Sequence, residues 1–377
     1  MSFLPYGRQT IDDEDIAAVI ATLRSDWLTT GPKVGEFEKA FAVAAGTSEA
    51  VVVNSGTAAL HAAMNAIGIG PGDEVIAPAL TFAATTNAVL YQGGTPVFAD
   101  VDSATLLIDI DDIEAKITPR TKAVAVVDYA GQPCDYQALR ELTDRRGLRL
   151  VADACHSLGA TDRGRPAGSL ADLSAFSLHP VKPITTAEGG AITTDDPELA
   201  ARMRVFRNHG ITSDHRQREA KGSWAYEMTT LGYNYRLSDL QCALGLSQLR
   251  RLAAWTERRR AIAKRYDEVL PNVPGVAPLT IREGAVSSYH LYVVQIDPEI
   301  IGKDRAQAFA ALRGAGIGVN VHYVPVYWHP YYQSLGYQRG LCPRAEAAYE
   351  RILSLPIFPT MTDEDVDRVV EALRFGQ

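Results

Sequence analysis

Cysteine is scarce in this chain: Cys134, Cys155, Cys242 and Cys342 are the only four among 377 residues. They lie too far apart in sequence to form a CxxC pair, which argues against a local zinc knuckle and against a disulfide-built scaffold. They read as reduced thiols, and no metal is expected. Long apolar runs are also missing. No stretch approaches the roughly 20 residues needed to span a bilayer, and MSFLPYGRQT lacks the basic start and apolar centre of a secretory signal. The reading is therefore a cytoplasmic protein with no membrane partner. Basic clusters are lacking as well: 37 basic against 45 acidic residues leave a net charge of -8, and no Lys/Arg-dense stretch could track a phosphate backbone, so nucleic acid is not an expected partner.

What is present is a 46% hydrophobic sequence long enough for two or three domains. From about residue 35 to 200, short apolar, β-branched runs alternate with helical stretches. That alternation predicts an α/β fold with a mostly parallel sheet covered by helices. The expected strands are Ala50 to Asn54, Glu74 to Pro78, Pro96 to Asp100, Ala123 to Asp128, Leu148 to Asp153, Leu173 to Leu178 and Gly189 to Thr194, seven in all. Ligands gather at the carboxyl ends of such strands, which would bring Asn54, Asp128, Asp153 and Ser177 to one crevice. Ser238 reads as a helix cap ahead of Leu240, Leu244, Leu249 and Leu252 at helical spacing. After Pro271, SSYHLYVVQID reads as a strand and DRAQAFAALRGAG as a helix with a glycine stop. The expected division is a large α/β domain over 1–250 and a small α+β domain over 251–377.

Three features could carry chemistry. Asn54-Ser55-Gly56-Thr57-Ala58 follows a strand and opens a helix, so its free amides could seat an anion, although a plain capped helix start reads equally well. Asp153 closes an apolar run, where a carboxylate is either a turn former or a partner for a ligand. His156, three residues on, reads by itself as a structural histidine. Lys182 lies between apolar runs and is flanked by Pro180 and Pro183. A lysine that attacks an aldehyde needs a neutral fraction, supplied by burial and a nearby cation. Glu188-Gly189-Gly190 then marks a tight turn or a close backbone approach.

Taken in order, SGTAAL, DACHSLGA, SLHPVKPITTAEGG and GYNYRLSDLQCALGLSQL resemble the DegT family of sugar-nucleotide aminotransferases, which are fold-type-I pyridoxal enzymes. The resemblance runs from LPYGRQ through SDWLTTGP to VHYVPVYWHPYY and so covers nearly the whole chain. It implies that 1–250 is the cofactor-binding domain and that Lys182 is the Schiff-base lysine. By the same resemblance Asp153 would pair with the pyridinium nitrogen and His156 would lie near the phenolic oxygen. Ser55, Gly56, Thr57, Ala58 and Ser177 would hold the phosphate, and Phe82 would stack on the ring. Asn234 would reach the phosphate in a neighbouring subunit's site, making a homodimer. Arg236, Tyr6, Thr29, His322 and Tyr323 would contact substrate.

The implied cofactor is pyridoxal 5'-phosphate, alternating with pyridoxamine phosphate. The implied partners are glutamate, as amino donor, and a nucleotide-linked keto-sugar. Within the family, the segments around LPYGRQ, SDWLTTGPKV and HPVKPITTAEGG look most like the 4-aminotransferases of pseudaminic-acid-type pathways, which act on UDP-linked 4-keto-6-deoxy-N-acetylhexosamines. Enzymes for dTDP- or GDP-linked 4-keto or 3-keto sugars share the same core. A pyridoxamine-dependent sugar dehydratase would carry histidine where this chain has Lys182, and a non-catalytic relative would lack a key group.

Overall fold

The computed structural model describes residues 2–213, 215–220 and 222–375. Its large sheet holds seven strands: β1 (Glu49–Val53), β2 (Glu74–Pro78), β3 (Thr95–Ala99), β4 (Thr121–Val127), β5 (Arg149–Asp153), β6 (Leu173–Ser177) and β7 (Gly190–Thr194). Their spatial order is β1-β7-β6-β5-β4-β2-β3. All neighbours from β6 to β3 run parallel. β7 alone is antiparallel to both of its neighbours, so β1 again points the same way as β6. The carboxyl ends of β1, β4, β5 and β6 therefore share one edge, and the site is built there.

The strands are apolar along their length because both faces are covered. Their period of two divides them between two cores. Val52, Ile76, Val124, Val126, Leu150, Ala152 and Phe176 pack into one, while Val51, Val53, Val75, Ala77, Ala123, Ala125, Val151 and Ala175 pack into the other. The second core is lined by helix α1 (Gly56–Ala66), whose alanines at 58, 59, 62 and 63 let it lie close on the sheet.

Helix α2 (Asp239–Leu249) begins where Ser238 caps it; Ser238 and Gln241 form a reciprocal capping box. Its buried side is not the leucine stripe read from the sequence. Leu240, Leu244 and Leu249 are half-buried, whereas Cys242, Ala243, Gly245, Ser247 and Gln248 are buried. The reason is the close approach of Phe37, whose ring occupies the space a Cβ at Gly245 would need.

A third core joins helix α3 (Leu252–Val269) to a second sheet of β8 (Val276–Pro278), β9 (Tyr292–Ile296) and β10 (Ile352–Leu355), antiparallel throughout. It contains Ile262, Tyr266, Val294, Leu312, Leu353 and Val366, together with Leu4 from the start of the chain. Leu4 reaches it because its backbone bonds across to Gly316 and Gly318. The run SSYHLYVVQID becomes strand only from Tyr292. Its first residues turn back toward the large sheet, where Ser288 Oγ donates to the carbonyl of His156 (2.7 Å) and the Leu291 amide donates to that of Ala130.

Candidate active site

A cavity of about 440 Å³ opens at the carboxyl edge of the large sheet. It is lined by Ser55, Gly56, Thr57, Phe82, Asp153, His156, Ser177, Lys182, Tyr6, His322 and Tyr323, and by His179, Glu188, His290 and Asn320. That volume suits a small ligand.

Ser55 stands in extended conformation as the cap of α1, and its hydroxyl accepts from the Ala58 amide at 3.0 Å. Gly56 and Thr57 line the cavity, and their amides belong to the first turn, which has no intrahelical acceptors. Glycine is required around them. A Cβ at Gly190 would sit 2.3 Å from the Ser55 carbonyl oxygen, and one at Gly56 would sit 2.9 Å from Ser177 Cβ. The amide turn, the Ser177 hydroxyl and the positive end of α1 thus form an anion cradle.

Asp153 closes β5 and is buried. One carboxylate oxygen accepts from Thr85 Oγ1 at 2.6 Å and the other from the Cys155 amide at 3.2 Å. Thr85 was not distinguishable in TFAATTNAV by sequence alone. It reaches Asp153 because the helix Ala84–Tyr91 begins just past Phe82 and turns its first hydroxyl inward. Phe82 itself is more than half exposed at the cavity wall and leans on Tyr323, with ring centroids 5.9 Å apart.

Lys182 sits in the loop between β6 and β7, its amide bonded to the carbonyl of His179. Burial pulls its pKa below the ordinary lysine value, while Cys155 and Asp153 act in the opposite sense. The neutral fraction thus comes from desolvation; the neighbouring cation expected from sequence is not among its causes.

Three buried histidines surround the lysine. His156 Nε2 is 3.0 Å from the Tyr323 hydroxyl, and its ring lies 4.5 Å from that of His290. His322 Nδ1 is 2.7 Å from Ser354 Oγ. Burial first, and then the Lys182 charge, holds all three below the ordinary histidine value, with His322 lowered to about 4. They are neutral near pH 7. His290 escaped the sequence reading because SSYHLY looks like the interior of a strand, and only the turn before β9 delivers it.

Other expected residues lie elsewhere. Ala58 is buried in the second core, with its amide taken by the Ser55 cap. Thr29 pairs with Ser238 through the backbone. Asn234 is exposed, and its carbonyl accepts from Asn54 Nδ2. Arg236 donates to Asn208 Oδ1 at 2.9 Å and lines a separate surface cavity with Arg204 and Arg207. Asn54 and Asp128 do not reach the crevice either. Asp128 is enclosed behind it, accepting from Ser157 Oγ at 2.6 Å, Tyr136 Oη at 2.9 Å and the Cys134 amide at 3.0 Å. Among the described residues, no group of three or more His, Cys, Asp or Glu side chains could hold a metal ion. No helix among them is long and apolar enough to cross a membrane.

A lysine amine, a fixed carboxylate and an amide cradle around one void match the three polar ends of pyridoxal phosphate: aldehyde, ring nitrogen and phosphate. The model of the DegT/DnrJ/EryC1/StrS aminotransferase family matches residues 9–374. The chain belongs to this family. It is thereby an enzyme, a pyridoxal-phosphate-dependent aminotransferase with the α/β architecture of fold type I.

Similar proteins agree over full length. The spore coat polysaccharide biosynthesis protein SpsC of Bacillus subtilis is 46% identical over 375 residues, covering 99% of this chain and 96% of that protein. The putative sugar aminotransferase Spr1654 of Streptococcus pneumoniae, in its pyridoxamine-phosphate form, superposes with a TM-score of 0.93 at 35% identity, covering 98% of both chains. Its pyridoxal-phosphate form is similar to the same degree, with a TM-score of 0.92. PseC of Helicobacter pylori, an aminotransferase of pseudaminic acid biosynthesis, gives 0.93 at 33% identity over the whole of both chains.

Proposed function

We propose that the chain transfers an amino group from glutamate to the C4 ketone of a nucleotide-linked 4-keto-6-deoxy sugar, with a UDP-linked N-acetylhexosamine as the preferred substrate. The observation that carries the reading is Lys182 in a cavity whose polar walls include Asp153 and the Gly56–Thr57 turn. The likeness to PseC across the whole of both chains supports the sugar class, as does the likeness to SpsC, a polysaccharide biosynthesis protein.

Pyridoxal phosphate, when bound, supplies an electron sink for the charge left on a carbon that loses its proton. In this reading Asp153, held by Thr85 and the Cys155 amide, keeps a proton on the ring nitrogen. The Gly56 and Thr57 amides and the hydroxyls of Ser55 and Ser177 bind the phosphate, while Ala58 shapes the turn. Phe82 and His156, the latter neutral and bonded to Tyr323, would line the space the ring takes. Lys182 is the covalent anchor. Once released, its amine carries the proton from the donor's α-carbon and later returns one to the sugar carbon. Tyr6, His322 and Tyr323 position the substrate at the cavity mouth.

The proposal extends to the assembly. Asn234, Arg236 and Thr29, which lie outside this cavity, would serve a site shared across a homodimer. The chain would divide into a cofactor domain over 1–250 and a small domain over 251–377, with Leu4 completing the core of the latter, and would work in the cytoplasm. A panel of UDP-, dTDP- and GDP-linked keto-sugars, each incubated with the purified enzyme and glutamate, tests the substrate assignment. Turnover of a UDP-4-keto-6-deoxy-N-acetylhexosamine is expected, and turnover of a dTDP-3-keto sugar alone would reject it.

A further inference from the structure

Of the three histidines around Lys182, His290 is the one whose ring makes no hydrogen bond among the described residues; its Nδ1 is buried without a partner. Its side chain nevertheless lines the cavity. The backbone that brings it there is unusual. Tyr289, just before it, has φ 48°, and Ala130 and Gly131, against which this turn packs, have φ 59° and 101°. Such left-handed conformations are sparsely populated by residues other than glycine and persist where surrounding contacts fix them. Here the Ser288 amide donates to the Gly131 carbonyl at 3.0 Å and the Leu291 amide to that of Ala130 at 3.1 Å. The Tyr289 amide donates to Ser287 Oγ at 3.0 Å, and Arg260 Nε, from α3, donates to the Ser287 carbonyl at 3.0 Å. Gly131 permits the approach: a Cβ there would sit 2.4 Å from Ser288 Oγ and 3.0 Å from the His290 amide nitrogen.

What the turn holds is His156. Ser288 Oγ takes its carbonyl at 2.7 Å, and the His290 ring lies against its ring, with centroids 4.5 Å apart and planes inclined by 46°. His156 is otherwise secured at one point only. Its Nε2 is 3.0 Å from the Tyr323 hydroxyl, while its Nδ1 is buried and unpartnered. An imidazole held by a single hydrogen bond can turn about that bond, so its plane is set by packing. A buried polar atom without a partner also gains from any water that reaches it.

We propose that His290 is a positioning residue: its ring, packed on His156, fixes the plane of that imidazole beside the space the cofactor takes and keeps water off it. It acts by shape. The titratable groups around His156 are Lys182 from the loop after β6, His290, His322 and Tyr323 from the segment before β10, Asp153 and Cys155 from the end of β5, and Asp128 behind. Burial, ahead of the Lys182 and His322 charges, holds His156 well below the ordinary 6.5. Wetting its ring therefore lets it rise toward that value. The inference rests on His156 and Lys182 meeting the cofactor as proposed above.

The test uses holoenzyme labelled with 13C-histidine and titrated by NMR between about pH 5 and 8; the peak missing from His156→Asn assigns the His156 signal. Wild-type His156 should not titrate in this window. In His290→Ala its midpoint should rise by about one pH unit or more, toward 6.5, with a matching step in the absorbance of lysine-bound cofactor. The double variant His290→Ala/His156→Asn should lack that step. His290→Phe, which keeps a flat ring, should behave as wild type. A folded His290→Ala protein in which His156 does not titrate would overturn the proposal, as would a titrating His156 in His290→Phe or a step that survives in the double variant. A merely structural role would lower Tm without creating the titration. If His290→Ala does not fold, His290→Asn, also smaller than the imidazole, decides by the same titration. Absence of a lysine-bound absorbance in the wild type would count against the reading of Lys182, and the His156 titration would still decide the role of His290.

Discussion

Thr85→Val is the substitution that most directly probes how Asp153 is prepared. Valine replaces a methyl-plus-hydroxyl side chain by two methyls of nearly the same shape, so the start of the 84–91 helix keeps its packing while Asp153 loses the donor at 2.6 Å. A hydrogen bond to a charged group is worth about 1.5–3 kcal/mol. In the open cavity, water can replace the lost donor; once the ring of the cofactor fills the space, it cannot, so the deficit falls on the bound state. At 1.4 kcal/mol per tenfold, pyridoxal phosphate should bind about 10–100-fold more weakly. Titration of the apoenzyme, followed by the absorbance of bound cofactor, measures this directly. Thr85→Ser, which keeps the hydroxyl, should bind within a few-fold of wild type. A folded Thr85→Val protein with wild-type affinity would refute the argument that this hydroxyl fixes the carboxylate.

Other perturbations bear on separate parts of the site. Lys182→Ala should keep the fold, lose the visible absorbance of lysine-bound cofactor and lose turnover; retained steady-state transamination would remove the lysine from its role. Gly190→Ala places a Cβ 2.3 Å from the Ser55 carbonyl, so it should cost about 1–3 kcal/mol of stability and weaken cofactor binding together, read by Tm and titration. Asp128, enclosed behind His156, has its carboxyl raised by burial from the ordinary 3.8 to about 6. A raised acid contributes stability that is complete below pH 3.8 and is lost as pH climbs through about 6, a change on the order of 3 kcal/mol at 1.36 kcal/mol per pH unit. Asp128→Asn lacks that titration, so urea unfolding should find it gaining on wild type between pH 4 and 7, and a constant gap would exclude the effect.

The seven large-sheet strands were legible because their signal is local: each buried strand is a short apolar run, and each lies within two residues of its expected limits. Asp153 and the glycine turn stand at the carboxyl ends of strands and Lys182 lies in the loop beyond another, so the segments that line the cavity were marked locally. What sequence could not supply was anything decided by packing across the chain. Leu240 and Leu244 carry the helical period, yet Phe37 selects the Gly245 side of α2 instead. His290 and Thr85 reach the site only through a turn and a helix start whose directions depend on contacts more than 60 residues away. Arg259 is the extreme case. In WTERRRAIAKRYDEVL it is the middle of three arginines, indistinguishable by local pattern from Arg258 and Arg260, yet it is buried where they are half-buried. A side chain whose burial is set by distant segments has no local signature, so its chemistry has to be read from the folded chain.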